Sequence, residues 1–569
     1  MTATASPPAT DPRAVLNQPP PLGDFDPLAC DPALADALRR YDPAGTGGGA
    51  AGGGAAGGNG GPQAQPPGGA VATAGAVAAV AGSAEGREHA HLANTNPPVL
   101  RTHDRYGHRM DEVSFHPSWH WLLGNAVRFG LHATPWSTDA EPGAHARRAA
   151  GFYLLGQLEA GHGCPVSMTY ACVPALRLAP ALAAAYEPGL RSTTYEFGLR
   201  EPSGKRGLLA GMSMTERQGG SDVRANTTAA VPLADGTYSL VGHKWFTSAP
   251  MNDMFLTLAQ APGGLTCLLL PRVLPDGTRN RIRLVRLKDK LGNRSNASAE
   301  IEYDNAIGWP VGEEGRGVPT IIEMVSMTRL DCVLGSAGGI RAALTEAAHH
   351  CAHRSAFGSV LADAPVMTGV LADLAIESEA ATALGMRLAA AVDAGERALL
   401  RLALPAAKYY VCKRAPAVIA EALECLGGNG YVEDSGMPRL YREAPLNSIW
   451  EGSGNVTALD VLRALQREPL AVDAVLAEIG TAAGADARLD DATTRLRREL
   501  AAATPATARR LAELITLCLQ ASLLVRYSPP AMADAFVGTR LGGDRTSTLG
   551  TLPAGADARA LVGRVTPAA

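Results

Sequence analysis

The sequence predicts an α+β protein that is mainly α, with helical regions on both sides of a region of strands. Apolar residues recur at three- and four-residue spacing in long segments, for example at Val370, Leu371, Leu374 and Ala375, which predicts amphipathic helices. Between residues 211 and 316 the pattern changes to short runs of β-formers separated by Gly, Asp and Asn, which predicts a small sheet or barrel. The length of 569 residues sets an expectation of about four domains.

The predicted regions follow in the order helices, strands, helices, helices. We divide the chain into an N-terminal segment (1–42), a Gly/Ala-rich disordered insert (43–86), an N-terminal helical domain (87–210), a middle β domain (211–316), a four-helix bundle (317–468) and a helical C-terminal extension (469–569). Residues 45–69 alone hold thirteen glycines, and no charge occurs from Pro43 to Ala84. Such a tract buries too little apolar surface to offset its backbone entropy, hence the expectation of disorder.

Within the middle region we expect strands over residues 238–241, 245–247, 254–258, 265–270, 282–287 and 299–303. The C-terminal extension is rich in Ala, Leu and Arg, which predicts helices, until a loop-like tail begins near Ser528.

The composition excludes several classes of protein. With 46% hydrophobic residues, 19% charged residues and a net charge of −4, the chain is neither wholly disordered nor a globally basic nucleic-acid binder. Nine cysteines without a C-x-x-C pair resemble neither a disulfide framework nor a zinc site, so we expect no metal. No leader and no apolar run long enough to cross a membrane is visible, which predicts a cytoplasmic protein without membrane contact.

Two short motifs mark the candidate cofactor site. Residues 214–222 contain the pair Gly219 and Gly220 flanked by hydroxyl side chains, and residues 243–248 contain Trp245. A glycine pair lets a backbone approach a phosphate or a ring carbonyl, and an indole offers an aromatic plate. Neither G-x-G-x-x-G nor a P-loop occurs. Taken alone, such a Gly-Gly-Ser sequence is also typical of an ordinary turn.

Further motifs in the helical half give these elements a family context. They are Arg354-Ser355-Ala356-Phe357-Gly358, Leu426-Gly427-Gly428-Asn429-Gly430-Tyr431 and Ile449-Trp450-Glu451-Gly452-Ser453-Gly454-Asn455. In this order the chain resembles the acyl-CoA dehydrogenase superfamily of flavoproteins. That resemblance implies a helical domain, a middle β domain and a four-helix bundle with FAD between them, extended here by the C-terminal helices.

The resemblance is closer still to the AidB-type branch, which belongs to the adaptive response to DNA alkylation. It is carried by residues 17–19, 92–98, 288–298 and 447–455 and covers nearly the whole chain except the Gly/Ala-rich insert.

The resemblance implies a set of cofactor-binding residues: Met212, Met214, Thr215, Gln218, Gly220, Ser221, Trp245, Phe246, Thr247, Ser248, Arg354, Phe357, Gly358, Gly427, Gly428, Gly452, Ser453 and Asn455. Thr215 would bind the pyrimidine edge of the flavin and Ser221 the diphosphate, with Thr247 or Ser248 near N5. Arg354, Phe357 and the Gly427 turn would reach the FAD of a neighbouring subunit, which implies a homotetramer. Glu424 departs from the usual Gln before this turn.

Glu451 is the candidate catalytic base. Dehydrogenation at Cα–Cβ of a thioester needs a base for the α-proton and a hydride acceptor, which a flavin supplies. By the resemblance, Glu451 matches the commoner base position, and Thr328 occupies the alternative position, where it cannot act as a base. Trp450 replaces the usual Tyr and is expected to narrow the acyl pocket. Without this context, Glu451 would be read as an ordinary loop carboxylate.

Two regions are candidates for contact with double-stranded DNA. Residues 271–295 carry eight basic and two acidic residues, although a solvated strand rim explains them as well. The second candidate consists of Arg495, Arg497, Arg498, Arg509 and Arg510 in the extension, which ion pairs with nearby acids explain equally well. Arg463 could hold an anionic group near the flavin or pair with Asp460.

The sequence therefore predicts an FAD-containing, AidB-type protein that protects DNA against alkylation and retains weak dehydrogenase activity on an acyl-CoA such as isovaleryl-CoA. Two alternatives stay open: a working short- or branched-chain acyl-CoA dehydrogenase without a DNA role, and a DNA-binding flavoprotein without enzymatic activity.

Overall fold

A computed structural model describes residues 15–42, 71–544, 547–553 and 555–567. The helices in chain order are α1 Pro32–Tyr41, α2 Ala74–Ala81, α3 Ala84–Thr95, α4 Pro117–Arg128, α5 Ala144–Leu158, α6 Gly163–Leu176, α7 Pro180–Leu190, α8 Gly317–His353, α9 Pro365–Asp393, α10 Arg397–Glu424, α11 Met437–Glu443, α12 Gly454–Arg467, α13 Pro469–Gly480, α14 Ala487–Ala501, α15 Ala508–Tyr527, α16 Pro530–Arg540 and α17 Ala558–Gly563. The strands are β1 Val99–His103, β2 Arg109–Ser114, β3 Ala210–Ser213, β4 Ala229–Pro232, β5 Tyr238–Ser248, β6 Met254–Ala261, β7 Gly264–Pro271, β8 Ile282–Leu287, β9 Ser298–Pro310, β10 Ser355–Ala356 and β11 Ser359–Val360. This arrangement of helices around one middle sheet confirms the predicted fold class.

The middle sheet has the strand order β3-β6-β4-β5-β9-β7, with β8 paired to β9 and β6 paired also to β7. Strand β8 has the predicted bounds, whereas the two short strands expected over 238–241 and 245–247 are one strand, β5. The register of β5 against β9 shifts between Lys244 and Thr247, as at a β-bulge. This shift releases Trp245 and Phe246 from the ladder, so the Trp245 N–H donates to the Thr215 carbonyl instead (2.8 Å).

The bundle is built on three long helices, α8, α9 and α10, of 37, 29 and 28 residues. Helix α12 packs on α10, and α5 and α6 pack on α8, so the N-terminal helices share the bundle core. Helix α15 of the extension packs on α9, α10 and α12. The C-terminal extension is therefore continuous with the bundle core.

The predicted disordered insert needs correction. Its part over residues 43–70 lies outside the described residues, but residues 71–86 contain α2 and the start of α3, so the prediction of disorder is wrong there. Helix α2 packs on α5, and Val77 is fully buried. Alanine side chains let the two helix backbones approach closely, and the hydroxyls of Thr73 and Ser83 cap α2 and α3.

Two other segments differ from expectation. The N-terminal helical region contains an antiparallel hairpin of β1 and β2. The tail expected to be loop-like after Ser528 contains α16 and α17, which bury apolar residues such as Phe536 and Leu561 against the core.

Within the described ranges, no helix is long and apolar enough to cross a membrane, and no cluster of His, Cys, Asp and Glu could hold a metal ion.

Candidate active site

Glu451 lies in a turn at the start of α12 that two cations hold in place. The backbone at Glu451 is left-handed (φ +56°), and Gly452 follows with φ +95°. The ammonium of Lys408, buried on α10, donates to the carbonyls of Trp450 (2.7 Å) and Gly452. Arg329 Nε donates to the Glu451 carbonyl (3.0 Å). These contacts stabilise a backbone conformation that costs free energy for a residue with a side chain.

The Glu451 carboxylate is partly buried and faces α8. Thr328 Oγ1 donates a hydrogen bond of 2.6 Å to Glu451 Oε2, so the two base positions considered in the sequence meet in the structure. Burial raises the pKa of Glu451, while the Thr328 hydrogen bond and the charges of Lys408 and Arg329 oppose that shift. A carboxylate with a raised pKa is a stronger base than an ordinary glutamate, as proton abstraction requires.

An apolar wall adjoins the carboxylate. Trp450 packs on the cluster that contains Met168, Met324 and Met327, and its indole Nε1 donates to Asn447 Oδ1 (2.9 Å). Cys164 belongs to the same cluster, and burial raises the pKa of its thiol to about 11, so it stays protonated near neutral pH.

The same cluster links this wall to the sheet. Ala249, which directly follows β5, belongs to the same apolar cluster as Cys164, and Trp450, the neighbour of Glu451, packs against this cluster. The candidate base and the predicted N5-contacting end of β5 therefore border one region of the protein.

A second wall of this region comes from β3, the turn after it and the end of β5. Strand β3 and the turn after it carry six of the predicted cofactor residues: Met212, Met214, Thr215, Gln218, Gly220 and Ser221. The end of β5 carries four more: Trp245, Phe246, Thr247 and Ser248. The buried hydroxyls of Ser213 and Thr247 hydrogen-bond each other. Behind the turn, Glu216 and Lys244 form a fully buried ion pair (2.8 Å). Gln218 Nε2 donates to Glu216 Oε2 (2.8 Å), which ties the turn to this pair.

This wall fits a flavin nucleotide in its chemistry and in its close backbone approach. A Cβ at Gly220 would lie 2.3 Å from Thr215 Oγ1, so any side chain at this position would displace Thr215. The Ser221 hydroxyl is exposed as a donor, and the Trp245 ring is partly exposed as an aromatic plate. Lys288 Nζ, which pairs with Glu300, lies over one face of the Trp245 ring, 3.4 Å from its centroid.

The remaining predicted cofactor residues fall into two groups. Gly452, Ser453 and Asn455 adjoin Glu451 at the start of α12. Arg354, Phe357 and Gly358 form the β10–β11 hairpin, whereas Gly427 and Gly428 lie in the turn after α10. From Thr328 to the end of α8, 25 residues at 1.5 Å per residue span about 38 Å, so one chain does not bring Arg354 to Glu451.

The surface around these remote residues is open. Phe357 is fully exposed in a left-handed conformation (φ +52°), and a Cβ added to Gly427 or Gly428 would meet no atom within 4 Å. Glu424, the residue that departs from the family pattern, is also exposed.

The candidate DNA-binding arginines lie in different environments. Asp460 pairs with Arg329 (2.6 Å) and Arg401 (3.3 Å), so the predicted alternative that it pairs with Arg463 is wrong. Arg463 is exposed instead.

In the extension, Arg510 pairs with Glu499 (2.9 Å), and Arg509 Nε donates to the Tyr409 hydroxyl (3.0 Å). Arg495 is partly buried, and its Nε has no hydrogen-bond partner among the described residues. Arg497 and Arg498 are exposed and form no ion pair within the described part of the chain.

Five of the eight basic residues between 271 and 295 form ion pairs with acids on β9 and β2, including Arg279 with Glu112. Arg281 and Arg283 pair with Asp304, and Arg286 and Lys288 pair with Glu300. These ion pairs favour a solvated strand rim over a DNA contact.

Lys408, Arg329 and Cys164 were not predicted from the sequence. Lys408 carried a usable signal, since a lysine within an apolar helical run, Leu404 to Cys412, has to find partners inside the protein. Arg329 and Cys164 carried none, because the contact of Arg329 with the Glu451 turn and the place of Cys164 in the apolar wall depend on the folded chain.

Comparison with known proteins identifies the family to which the chain belongs. Residues 17–197 match the N-terminal domain of adaptive response protein AidB, 211–306 the acyl-CoA dehydrogenase middle domain and 315–466 the acyl-CoA dehydrogenase C-terminal domain. AidB of Escherichia coli (strain K12) is 47% identical over 474 residues, which cover 82% of this chain and 88% of AidB.

Solved structures agree over the length of the chain. Bd2924 in its apo form has a TM-score of 0.79 and 29% identity, covering 90% of this chain and 99% of its own. Caenorhabditis elegans ACDH-11, solved in complex with C11-CoA, also has a TM-score of 0.79, with 26% identity, covering 99% and 93%. The chain belongs to the AidB-type branch of the acyl-CoA dehydrogenases, a family of oxidoreductases that act on acyl-CoA with FAD as cofactor.

Proposed function

We propose that this chain binds FAD and dehydrogenates an acyl-CoA thioester with Glu451 as the catalytic base. One observation carries the proposal: the Glu451 carboxylate, with a raised pKa, is hydrogen-bonded by Thr328, and its neighbour Trp450 packs on the apolar cluster that includes Ala249 at the end of β5. The turn and strand residues from Met212 to Ser221 and from Trp245 to Ser248 would hold the flavin.

The residues around Glu451 have separate tasks in this reaction. Glu451 accepts the α-proton of the thioester and becomes a carboxylic acid, and a double bond forms between Cα and Cβ. FAD, when bound, supplies the acceptor for the hydride that leaves Cβ. Lys408 and Arg329 hold the turn, and Trp450 with the methionine cluster excludes water from the acyl group.

The acyl group that we propose is short or branched, as in isovaleryl-CoA. The support is the size of Trp450, whose indole is fixed by Asn447 beside the base. A cavity of about 510 Å³, its open mouth included, is lined by Asn447 and Ser336 but not by Glu451, so it does not enlarge the space at the base.

We also propose a homotetramer in which each FAD is shared by two subunits. Arg354, Phe357, Gly427 and Gly428 are too far along the bundle to complete the site of their own chain. Exposed apolar side chains at Phe357 and Tyr431 support an interface there, because a second copy would remove them from water.

DNA-associated protection against alkylation is the second candidate function. The observation that favours it is the exposure of Arg463, Arg497 and Arg498, which form no ion pair within the described part of the chain. It also requires the cytoplasmic location that the sequence predicts. From Arg467 onward twelve arginines stand against eleven acids, so binding would be weak and would fall steeply with salt.

The DNA role is tested by a salt series of duplex binding. We expect the triple variant Arg463→Gln, Arg497→Gln, Arg498→Gln to bind more weakly and with a smaller salt slope than the wild type, while Arg510→Gln, which removes an already paired arginine, serves as the matched control. Equal binding by the triple variant and the wild type would remove this function from the account.

The dehydrogenase proposal is tested on the purified protein by its visible spectrum and by anaerobic titration with isovaleryl-CoA. We expect a bound-flavin spectrum that bleaches as thioester is added. A protein that binds no added FAD, or a bound flavin that no acyl-CoA bleaches, would contradict the proposal.

A further inference from the structure

Residues 15–23, which we name the N-terminal strap, cross the end of the bundle where the β10–β11 hairpin and the Gly427 turn lie. Asn17 contacts the hairpin, and Asn429 Nδ2, in the Gly427 turn, donates to Gln18 Oε1 (2.8 Å). His349 Nε2 hydrogen-bonds the Pro20 carbonyl (2.9 Å). The strap therefore contacts two loops that follow different helices, α8 and α10.

The far end of the strap is anchored on α3. Arg87 Nη2 donates to the carbonyls of Leu22 (2.7 Å) and Gly23 (2.8 Å), and Asp24 Oδ1 accepts from the Ala84 N–H (2.6 Å). With both ends attached, the strap can hold a side chain on the hairpin in one orientation.

Asn17 makes the main contacts with the hairpin. Its Oδ1 accepts from the Ser355 N–H (2.8 Å) and its Nδ2 donates to the Ser355 carbonyl (2.7 Å), so one amide satisfies both backbone groups of one residue. Its own carbonyl accepts from Arg354 Nη1 (2.6 Å). Asn17 has a left-handed backbone (φ +57°), which asparagine tolerates better than most residues.

Arg354 is oriented by these contacts without being neutralised. No acidic side chain pairs with it in the described ranges, and its guanidinium donates to a neutral carbonyl. A guanidinium that is held in place and keeps its charge is suited to a phosphate oxygen. Phe357, three residues away, is fully exposed on the same hairpin.

We propose that Asn17 is a positioning residue, which orients Arg354 toward the phosphate groups of FAD bound to a neighbouring subunit. This inference rests on the proposed function, in that it requires FAD and a shared site. It adds a task for the strap, namely the attachment of the hairpin that contributes Arg354.

The test is a double-mutant cycle on the full chain, read as the FAD dissociation constant from flavin fluorescence. Asn17→Ala keeps the carbonyl that binds Arg354 but removes the two hydrogen bonds of the side-chain amide to Ser355, so we expect it to weaken FAD binding about tenfold through a loosened hairpin. We expect Arg354→Gln to weaken FAD binding at least as much. If Asn17 acts through Arg354, adding Asn17→Ala to Arg354→Gln changes the dissociation constant no further. Asn96→Ala, an exposed asparagine that bonds its own helix, is the control.

The outcomes separate the two proposals. Wild-type protein that binds no FAD overturns the proposed function and this inference with it. Wild-type binding together with an unchanged Asn17→Ala variant, or with fully additive effects of the two substitutions, overturns the positioning role alone. Should Asn17→Ala lower the melting temperature, Asn17→Gly replaces it, since glycine keeps the left-handed backbone and the carbonyl and removes only the amide bridge.

Discussion

At the scale of single residues, the candidate site depends on how the Glu451 turn is held. Lys408 donates to the backbone carbonyls of Trp450 and Gly452, and Arg329 donates to the carbonyl of Glu451 itself. These contacts fix the turn so that the carboxylate points at Thr328. Its pKa is raised by burial and restrained by the Thr328 hydrogen bond. Thr328 thus cannot replace the base but can adjust its proton affinity.

Thr328→Val tests that adjustment. The hydroxyl donates to the ionised carboxylate, so its removal raises the pKa of Glu451 further, and the base is then ionised only at higher pH. We expect the acid limb of the pH profile of flavin reduction to move upward by up to about one unit, the equivalent of one hydrogen bond. Thr328→Ser keeps the donor and should leave the limb in place. An unmoved limb in Thr328→Val would refute the role.

At the scale of elements, α2 shows how a composition signal can mislead. The run from Ala74 to Ala81 is glycine- and alanine-rich like the tract before it, yet it is helical and packed on α5. Alanine has the highest helix propensity, and its small side chain brings helices close together. Composition therefore did not separate a packed alanine helix from a tract expected to be disordered.

Helix α2 and the tract before it are expected to differ in their contribution to stability. Val77→Asp puts an unpaired carboxylate into a fully buried site and should lower the free energy of unfolding by about 3–5 kcal/mol in urea titration. Deletion of residues 45–69 should leave both the unfolding transition and the flavin spectrum unchanged. Val99→Asp, on an exposed strand position, is the control for the added charge. Loss of bound flavin in the deletion variant would show that residues 45–69 contribute to the cofactor site.

The sequence predicts the elements whose pattern is local. Strand β8 was predicted with the observed bounds, and the bundle helices follow from apolar spacing around Leu371. The supports of Glu451 could not be predicted in this way, since Arg329 lies 122 residues from the carbonyl that it binds. Which buried side chain meets which carbonyl depends on tertiary packing, which periodicity does not encode.

At the scale of the whole molecule, the C-terminal extension is fixed to the bundle by buried charges. Arg540 on α16 pairs with Asp373 and Glu377 on α9, and Arg414 on α10 also pairs with Glu377 (3.0 Å). Arg564 pairs with Glu379 (3.1 Å). Arginines of the extension therefore pair with carboxylates inside the bundle, so a chain stopped near Pro469 would leave Asp373 and Glu379 without these cations and Glu377 with Arg414 alone.

Arg540→Met tests this attachment. It leaves the buried Asp373 without its cation and the buried Glu377 with Arg414 alone. We expect a loss of about 3–5 kcal/mol in the free energy of unfolding. Arg488→Met removes a more exposed pair with Asp486 and Asp534 and should cost about 1 kcal/mol or less. Equal effects of the two substitutions would mean that the buried network does not attach the extension.

The central claim, that Glu451 is the base of an FAD-dependent dehydrogenase, is tested most directly by the rate of anaerobic flavin reduction in Glu451→Gln. The amide keeps the size of the side chain and an oxygen for the Thr328 hydroxyl, so FAD binding should be retained. We predict a rate with isovaleryl-CoA that falls by about 10²- to 10⁴-fold, the contribution of a general base. A Glu451→Gln protein with bound FAD that is reduced as fast as the wild type would contradict the account.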